Sequence, residues 1–225
     1  MARLAAIYLL GGETIYTNAH LWETPAHSLA RASDFADYVY ANTTKRHEIR
    51  NIDISQRRRR LQLGKITHRD IELFLCHKWT LKKLGKNAAQ DWSSYFVDES
   101  TEKPSKIFSA SRLRIGSSSL RCVPDIVLFN RQENKFLIVE RKTTFVPEPR
   151  IPVNAWPNVE AQLWCYSWID EFQDANDVIS IGEFWHRHSG GIQLIHKHWA
   201  WLRSDPVHNA RCAEMFKAYG GDISG

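Results

Sequence analysis

A chain of 225 residues, with 43% hydrophobic and 24% charged residues, is long enough to bury a sizeable core and reads as an ordinary globular domain. No internal repeat or low-complexity segment interrupts it, no stretch is apolar for long enough to span a membrane as a helix, and a formal charge of +5 favours a polyanionic partner such as nucleic acid. Four cysteines (Cys76, Cys122, Cys165 and Cys212) lie far apart with no CxxC pair, which excludes a disulfide framework or a clustered zinc or iron–sulfur site and fits a reducing, cytoplasmic setting.

The opening stretch MARLAAIYLLGG has a short apolar run, one positive charge and no small-residue cleavage site, so a buried strand or helix is expected there rather than a signal peptide. A helix follows over SLARASDFADYVYAN. The run Arg57, Arg58, Arg59 and Arg60 is the densest positive segment, with phosphate contact as its sharper reading and a solvated face as the plainer one. From Thr67, a good N-cap with Asp70 three residues on, a helix is predicted to about Leu84, where Gly85 stops it. Its three- and four-residue spacing places His68 and Glu72 on one face with Ile71, Leu75 and Trp79. The segment Asn87 to Lys106 is polar and is expected to be irregular.

Beyond it, SASRLRIG reads as a strand, GSSS as a turn, LRCVPDIVLFN as a second strand and KFLIVERKTT as a third, together a meander. The segment FVPEPRIPVNAWP, with four prolines, must be a loop. An amphipathic helix, NVEAQLWCYSWIDEF, comes next. Two strands, DVISIGEFWHRH and IQLIHKHWAWL, flank a Ser-Gly-Gly turn, and a closing helix runs from Pro206 to near Gly220. On those strands His186, His188, His196 and His198 alternate as an exposed hairpin face would, meeting solvent or nucleic acid rather than metal. The expected fold class is α/β, a mixed β-sheet flanked by helices. Residues 1–60 are expected as an extension packed on residues 61–225, in one compact unit.

Asp125 and Glu140 are out of place on core strands. A turn centred between Gln132 and Glu133 pairs Asn130 with Lys135, and counting outward sets Asp125 opposite Glu140, on the same face. Lys142, two residues on, joins that face, whereas Arg141 points away. Two close carboxylates stay ionised only with a cation between them, and oxygen ligands without cysteine favour Mg²⁺ or Mn²⁺. Such an ion polarises a phosphoryl oxygen and acidifies a bound water, and a neighbouring lysine can orient that water or help deprotonate it.

Pro124-Asp125, then Glu140-Arg141-Lys142, resembles the PD-(D/E)xK nuclease superfamily. The helix segment QLWCY, with Gln162 and Tyr166 one turn apart, is similar to the Q-x-x-x-Y motif of its RecB-like branch, and GKITH is similar to that branch's upstream glycine–histidine spacing. The resemblance implies a restriction-endonuclease-like core and a Mg²⁺- or Mn²⁺-dependent deoxyribonuclease, with endo- or exonuclease action left open. It implies Asp125 and Glu140 as metal ligands with His68 as a third, Lys142 positioning the attacking water, and Gln162 and Tyr166 arranging the site. Cys122 stands where the family often has glycine, and the branch's iron–sulfur cysteines are missing, so no cluster is expected. Arg57–Arg60, with Lys82, Lys83 and Lys86, would hold DNA, single- or double-stranded, and a homodimer or larger nucleoprotein complex would suit double-strand cutting. The alternatives are a nuclease acting on RNA and a non-catalytic nucleic-acid-binding or scaffold protein that keeps the fold.

Overall fold

A computed structural model of the chain describes residues 19–43, 92–98, 106–144, 156–188 and 191–224. In chain order these form α1 (Ala32–Thr43), β1 (Trp92–Val97), β2 (Phe108–Ile115), β3 (Ser118–Cys122), β4 (Ile126–Asn130), β5 (Lys135–Thr144), α2 (Pro157–Ser167), β6 (Asp177–His188), β7 (Gly191–Leu202), α3 (Pro206–Ala218) and β8 (Gly221–Ile223). The fold is mixed α/β. A five-stranded sheet runs in the order β1-β4-β5-β6-β7, and a three-stranded sheet in the order β3-β2-β8. The β5–β6 pair is parallel, and every other pairing between the strands named here is antiparallel.

The parallel pair requires a crossover, and α2 supplies it. Proline at its first turn pre-sets the backbone for helix, and ten of its residues, Pro157 and Val159–Ser167, are buried. It is buried so fully because it lies between the large sheet and α1, where Phe35 meets Trp164 edge-on at 6.4 Å between ring centroids. Helix α3 closes the same core through Phe216, 5.2 Å from Phe35. The core is therefore shared by α1, α2, α3, the small sheet through Phe108, Leu113 and Leu120, and one face of the large sheet through Val127, Phe136 and Ile138. The other face carries a smaller cluster of Ile126, Leu128, Leu137 and Val139. At Gly182 on β6 the helix comes so near that a Cβ would stand 3.2 Å from Val159 Cγ1.

Two expectations are corrected, and one element is added. The segment LRCVPDIVLFN is not one strand: it breaks at Val123–Asp125 into β3 and β4, which belong to different sheets. Pro124 has no N–H for a ladder and restricts the residue before it, so the chain changes sheets there and the expected meander becomes two separate hairpins. The polar stretch after Asn87 contains an edge strand, β1, which pairs with β4 through a bulge between Ser94 and Phe96. After α3 the chain adds β8, three residues paired with β2.

The expected N-terminal element, the helix from Thr67 and the proline-rich segment as far as residue 155 lie outside the described residues, as do the side chains of His186, His188, His196 and His198, while Pro157 at the end of that expected loop belongs to α2. Among the described residues, no helix is long and apolar enough to cross a membrane.

Candidate active site

The β4–β5 hairpin sets the geometry. Its ladder runs from Asn130 opposite Lys135 to Ile126 opposite Val139, the register expected from the turn. Asn134 takes the left-handed conformation that closes the turn, φ 49°, and its side-chain amide donates to Asp174 O at 2.8 Å. One step beyond Ile126, Asp125 comes level with Glu140, and its Oδ2 accepts the Arg141 N–H at 2.7 Å. The break at Pro124 leaves Asp125 outside the β4–β5 ladder, with its carbonyl accepting the Asp98 N–H at 2.8 Å, and its side chain ties it back to β5.

Glu140 is 4% exposed. Its Oε1 accepts from Lys142 Nζ at 2.5 Å, while its Oε2 is buried with no hydrogen-bond partner. Burial, then the charge of Asp125, pushes the Glu140 carboxyl from its ordinary 4.5 to about 7, against the opposing pull of Lys142. For Lys142, burial acts to lower the pKa, but Glu140, Asp125 and Asp37 outweigh it and the net shift is upward. The lysine is an ammonium at neutral pH.

Lys142 Nζ also donates to Gln162 Oε1 at 2.8 Å, Gln162 Nε2 donates to the Tyr166 hydroxyl at 2.6 Å, and that hydroxyl donates to Val123 O at 2.9 Å. The one-turn spacing of Gln162 and Tyr166 on α2 is what lets them meet. Burial holds the Tyr166 hydroxyl well above its ordinary pKa, so it stays a donor. Asp125, Glu140, Lys142, Gln162 and Tyr166 are thereby joined through hydrogen bonds and one charge cluster. Arg141 faces the opposite side, as alternation requires, where its Nε lies 3.4 Å from Glu183 Oε2.

His68, Arg57, Arg58, Arg59 and Arg60 lie outside the described residues, as do Glu72, Lys82, Lys83 and Lys86. Asp37 of α1, which acts electrostatically on Lys142, carries no motif in the sequence. Its only mark is the three-residue spacing from Asp34 on a helix whose other face is apolar.

The residues that could hold a cation are Asp125 and Glu140. An unpartnered buried carboxylate oxygen is the feature a hard cation would satisfy, and both donors are oxygens. A second group of donors differs. Glu160, His208 and Cys212 have ligand-type atoms within 4.8 Å of one another. However, Glu160 Oε1 already lies 2.8 Å from His208 Nδ1 and is bonded to the Arg211 guanidinium. Burial keeps the Cys212 thiol protonated, its pKa held well above the ordinary value. This group is an ion-paired junction between α2 and α3. Its mark in the sequence is the helical spacing of His208, Arg211 and Cys212 in HNARC.

No family model matches the chain, and no curated protein matches it. Among solved structures, one described as the crystal structure of SSO0001 aligns over 91% of this chain and 83% of that chain, at 14% identity and a TM-score of 0.37. A likeness of that depth bears on neither fold nor activity.

Proposed function

We propose that the chain is a metal-dependent deoxyribonuclease of the PD-(D/E)xK superfamily, in its RecB-like branch, with Mg²⁺ or Mn²⁺ held by Asp125 and Glu140. The observation that supports this most is the pairing of Asp125 with a buried Glu140 whose Oε2 has no protein partner, beside a lysine fixed to both Glu140 and Gln162. A divalent ion bound there would polarise a phosphoryl oxygen and lower the pKa of a bound water.

Lys142 acts as a cation. Two of its three N–H donors are spent on Glu140 and Gln162, which leaves the third for a water or a phosphate oxygen. Because its pKa is raised, it orients and neutralises rather than accepting a proton. Gln162 and Tyr166 hold that ammonium in place, anchored in turn on the Val123 carbonyl. Asp125 is held by the Arg141 N–H through Oδ2, so its carboxylate is oriented before any cation arrives.

The test is cleavage of linear, circular and single-stranded DNA by the purified chain with Mg²⁺, Mn²⁺ or EDTA. Metal-dependent cleavage that is lost in Asp125→Ala and Lys142→Ala is the expected result, and the fate of circular DNA separates endonuclease from exonuclease action. Undiminished cleavage by either variant overturns the site assignment.

A further inference from the structure

We infer that the cleft beside this site seats the phosphodiester backbone of a single nucleic-acid strand, gripped by Arg31 and Arg121. The inference deepens the nuclease reading and rests on it for what happens to the strand next.

The cleft has a volume of about 400 Å³ and opens between the start of α1, the end of β3 and α2. Arg31, Ser33 and Arg121 line it together with Val123, Gln162 and Tyr166. Gln162 and Tyr166 are the groups that hold Lys142, so the cleft stops one side chain short of the Glu140 carboxylate. Its size is at the lower end of the roughly 300–1,000 Å³ of ligand sites, room for a nucleotide-sized piece of one strand.

The two arginines are brought together by the backbone. Arg31 and Arg121 form an isolated parallel bridge, and the Arg121 N–H donates to Ala30 O at 2.9 Å. Like charges set directly opposite each other are destabilising. Both side chains reach solvent: the Arg31 side chain is 56% exposed and lies 3.8 Å from Asp34, and Arg121 is exposed with no ion pair among the described residues, so both guanidiniums are open to an anion. A phosphate shared by the two guanidiniums would suit their forked donors. Helix α1 begins at the same wall, with Ala32 and Ser33 lining the cleft, so its unspent N–H groups add to the positive field. A strand seated here would run toward Lys142 and present its next phosphate to the carboxylates.

The experiment is fluorescence anisotropy of a short labelled single-stranded DNA in EDTA, where metal-dependent cleavage cannot occur, over a range of salt concentrations. Arg31→Ala/Arg121→Ala should bind at least tenfold more weakly than the unaltered chain. The salt slope should become shallower by about 0.7, for the one phosphate the two arginines share. Arg121→Lys, which keeps the charge but not the forked donors, should keep the salt slope and lose less affinity than the double variant, and thermal melting should show both variants folded, since their backbone bridge is untouched. Equal affinity and salt slope in the double variant, or no salt-dependent binding by the unaltered chain, overturns the inference. Arginine-dependent binding with no cleavage under any metal would sink the nuclease reading alone. Cleavage with arginine-independent binding would sink the cleft alone.

Discussion

Glu140 on β5 and Glu160 on α2 are both carboxylates in the interior, 4% and 1% exposed, yet burial acts on them with opposite outcomes. Glu160 receives His208 and Arg211, which overcome the desolvation and bring its pKa below the ordinary value. Glu140 receives one lysine and a backbone hydrogen bond from Asp125, keeps one oxygen unpartnered beside that second acid, and is pushed up to about 7. A buried charge with complete partners joins two helices. One with incomplete partners lowers the stability of the empty fold and keeps an oxygen that a cation would satisfy. The two glutamates thus separate a completed structural junction from the site proposed to hold a cation.

The contrast can be broken by substitution. Glu160→Ala strands His208 and Arg211 at the junction of α2 and α3, and should cost about 3–5 kcal/mol of folding free energy, read from urea denaturation. A loss below about 1 kcal/mol would mean the junction is not structural. Lys142→Ala should leave the fold in place and reduce metal-dependent cleavage by about 10²–10³-fold, the scale for removing one preorganised charge donor. Single-turnover rates at saturating DNA measure it.

The pH dependence sharpens the contrast, because the two carboxyls have opposite signs. From pH 4.5 to about 7, folded Glu140 keeps a proton that the unfolded chain releases, so this residue makes stability fall as pH rises, by at most about 1.4 kcal/mol per pH unit. Glu140→Gln should remove that fall and, without metal, make the chain more stable at pH 7 than the parent. Glu160 works the other way: its lowered pKa adds stability above its ordinary 4.5, which is lost as pH falls through the folded value. Urea midpoints from pH 3 to 8 for the parent and both single variants would show the two slopes separately. The smallest effect should come from Tyr166→Phe. It removes the bonds to Val123 O and Gln162 at a cost of about 1 kcal/mol, with cleavage falling less than in Lys142→Ala.

The hairpin was legible in the sequence because its information is local. Two apolar runs either side of NRQEN admit one register that buries both, and that register aligns Asp125 with Glu140. The Gln162–Tyr166 contact was legible for the same reason, since helical spacing alone places them together. What escaped depended on distant or ambiguous partners. Strand β1 carries a Ser-Ser pair and its register shifts at a bulge, so its alternation is weak. The sheet change at Pro124 was hidden inside a continuous apolar run, where proline was the only warning. The junction at Glu160 joins residues 48 positions apart, and the arginine pair meets only once α1 has folded against β3.

The hydrogen-bonded chain from Val123 to Tyr166 has a consequence for the order of assembly. Its longest link spans 43 residues, and its strands are neighbours in the chain or joined by a single crossover. The clamp that finishes the core is of another kind: Tyr219 bonds Leu29 across 190 residues. Closing a short loop sacrifices less chain entropy than closing a long one, so the hairpin and its crossover helix can condense while the C-terminal part is still being synthesised. The face that carries Asp125, Glu140 and Lys142 then exists as a local scaffold first, and the docking of α1 against α3 is the late step that completes the arginine-lined wall beside it.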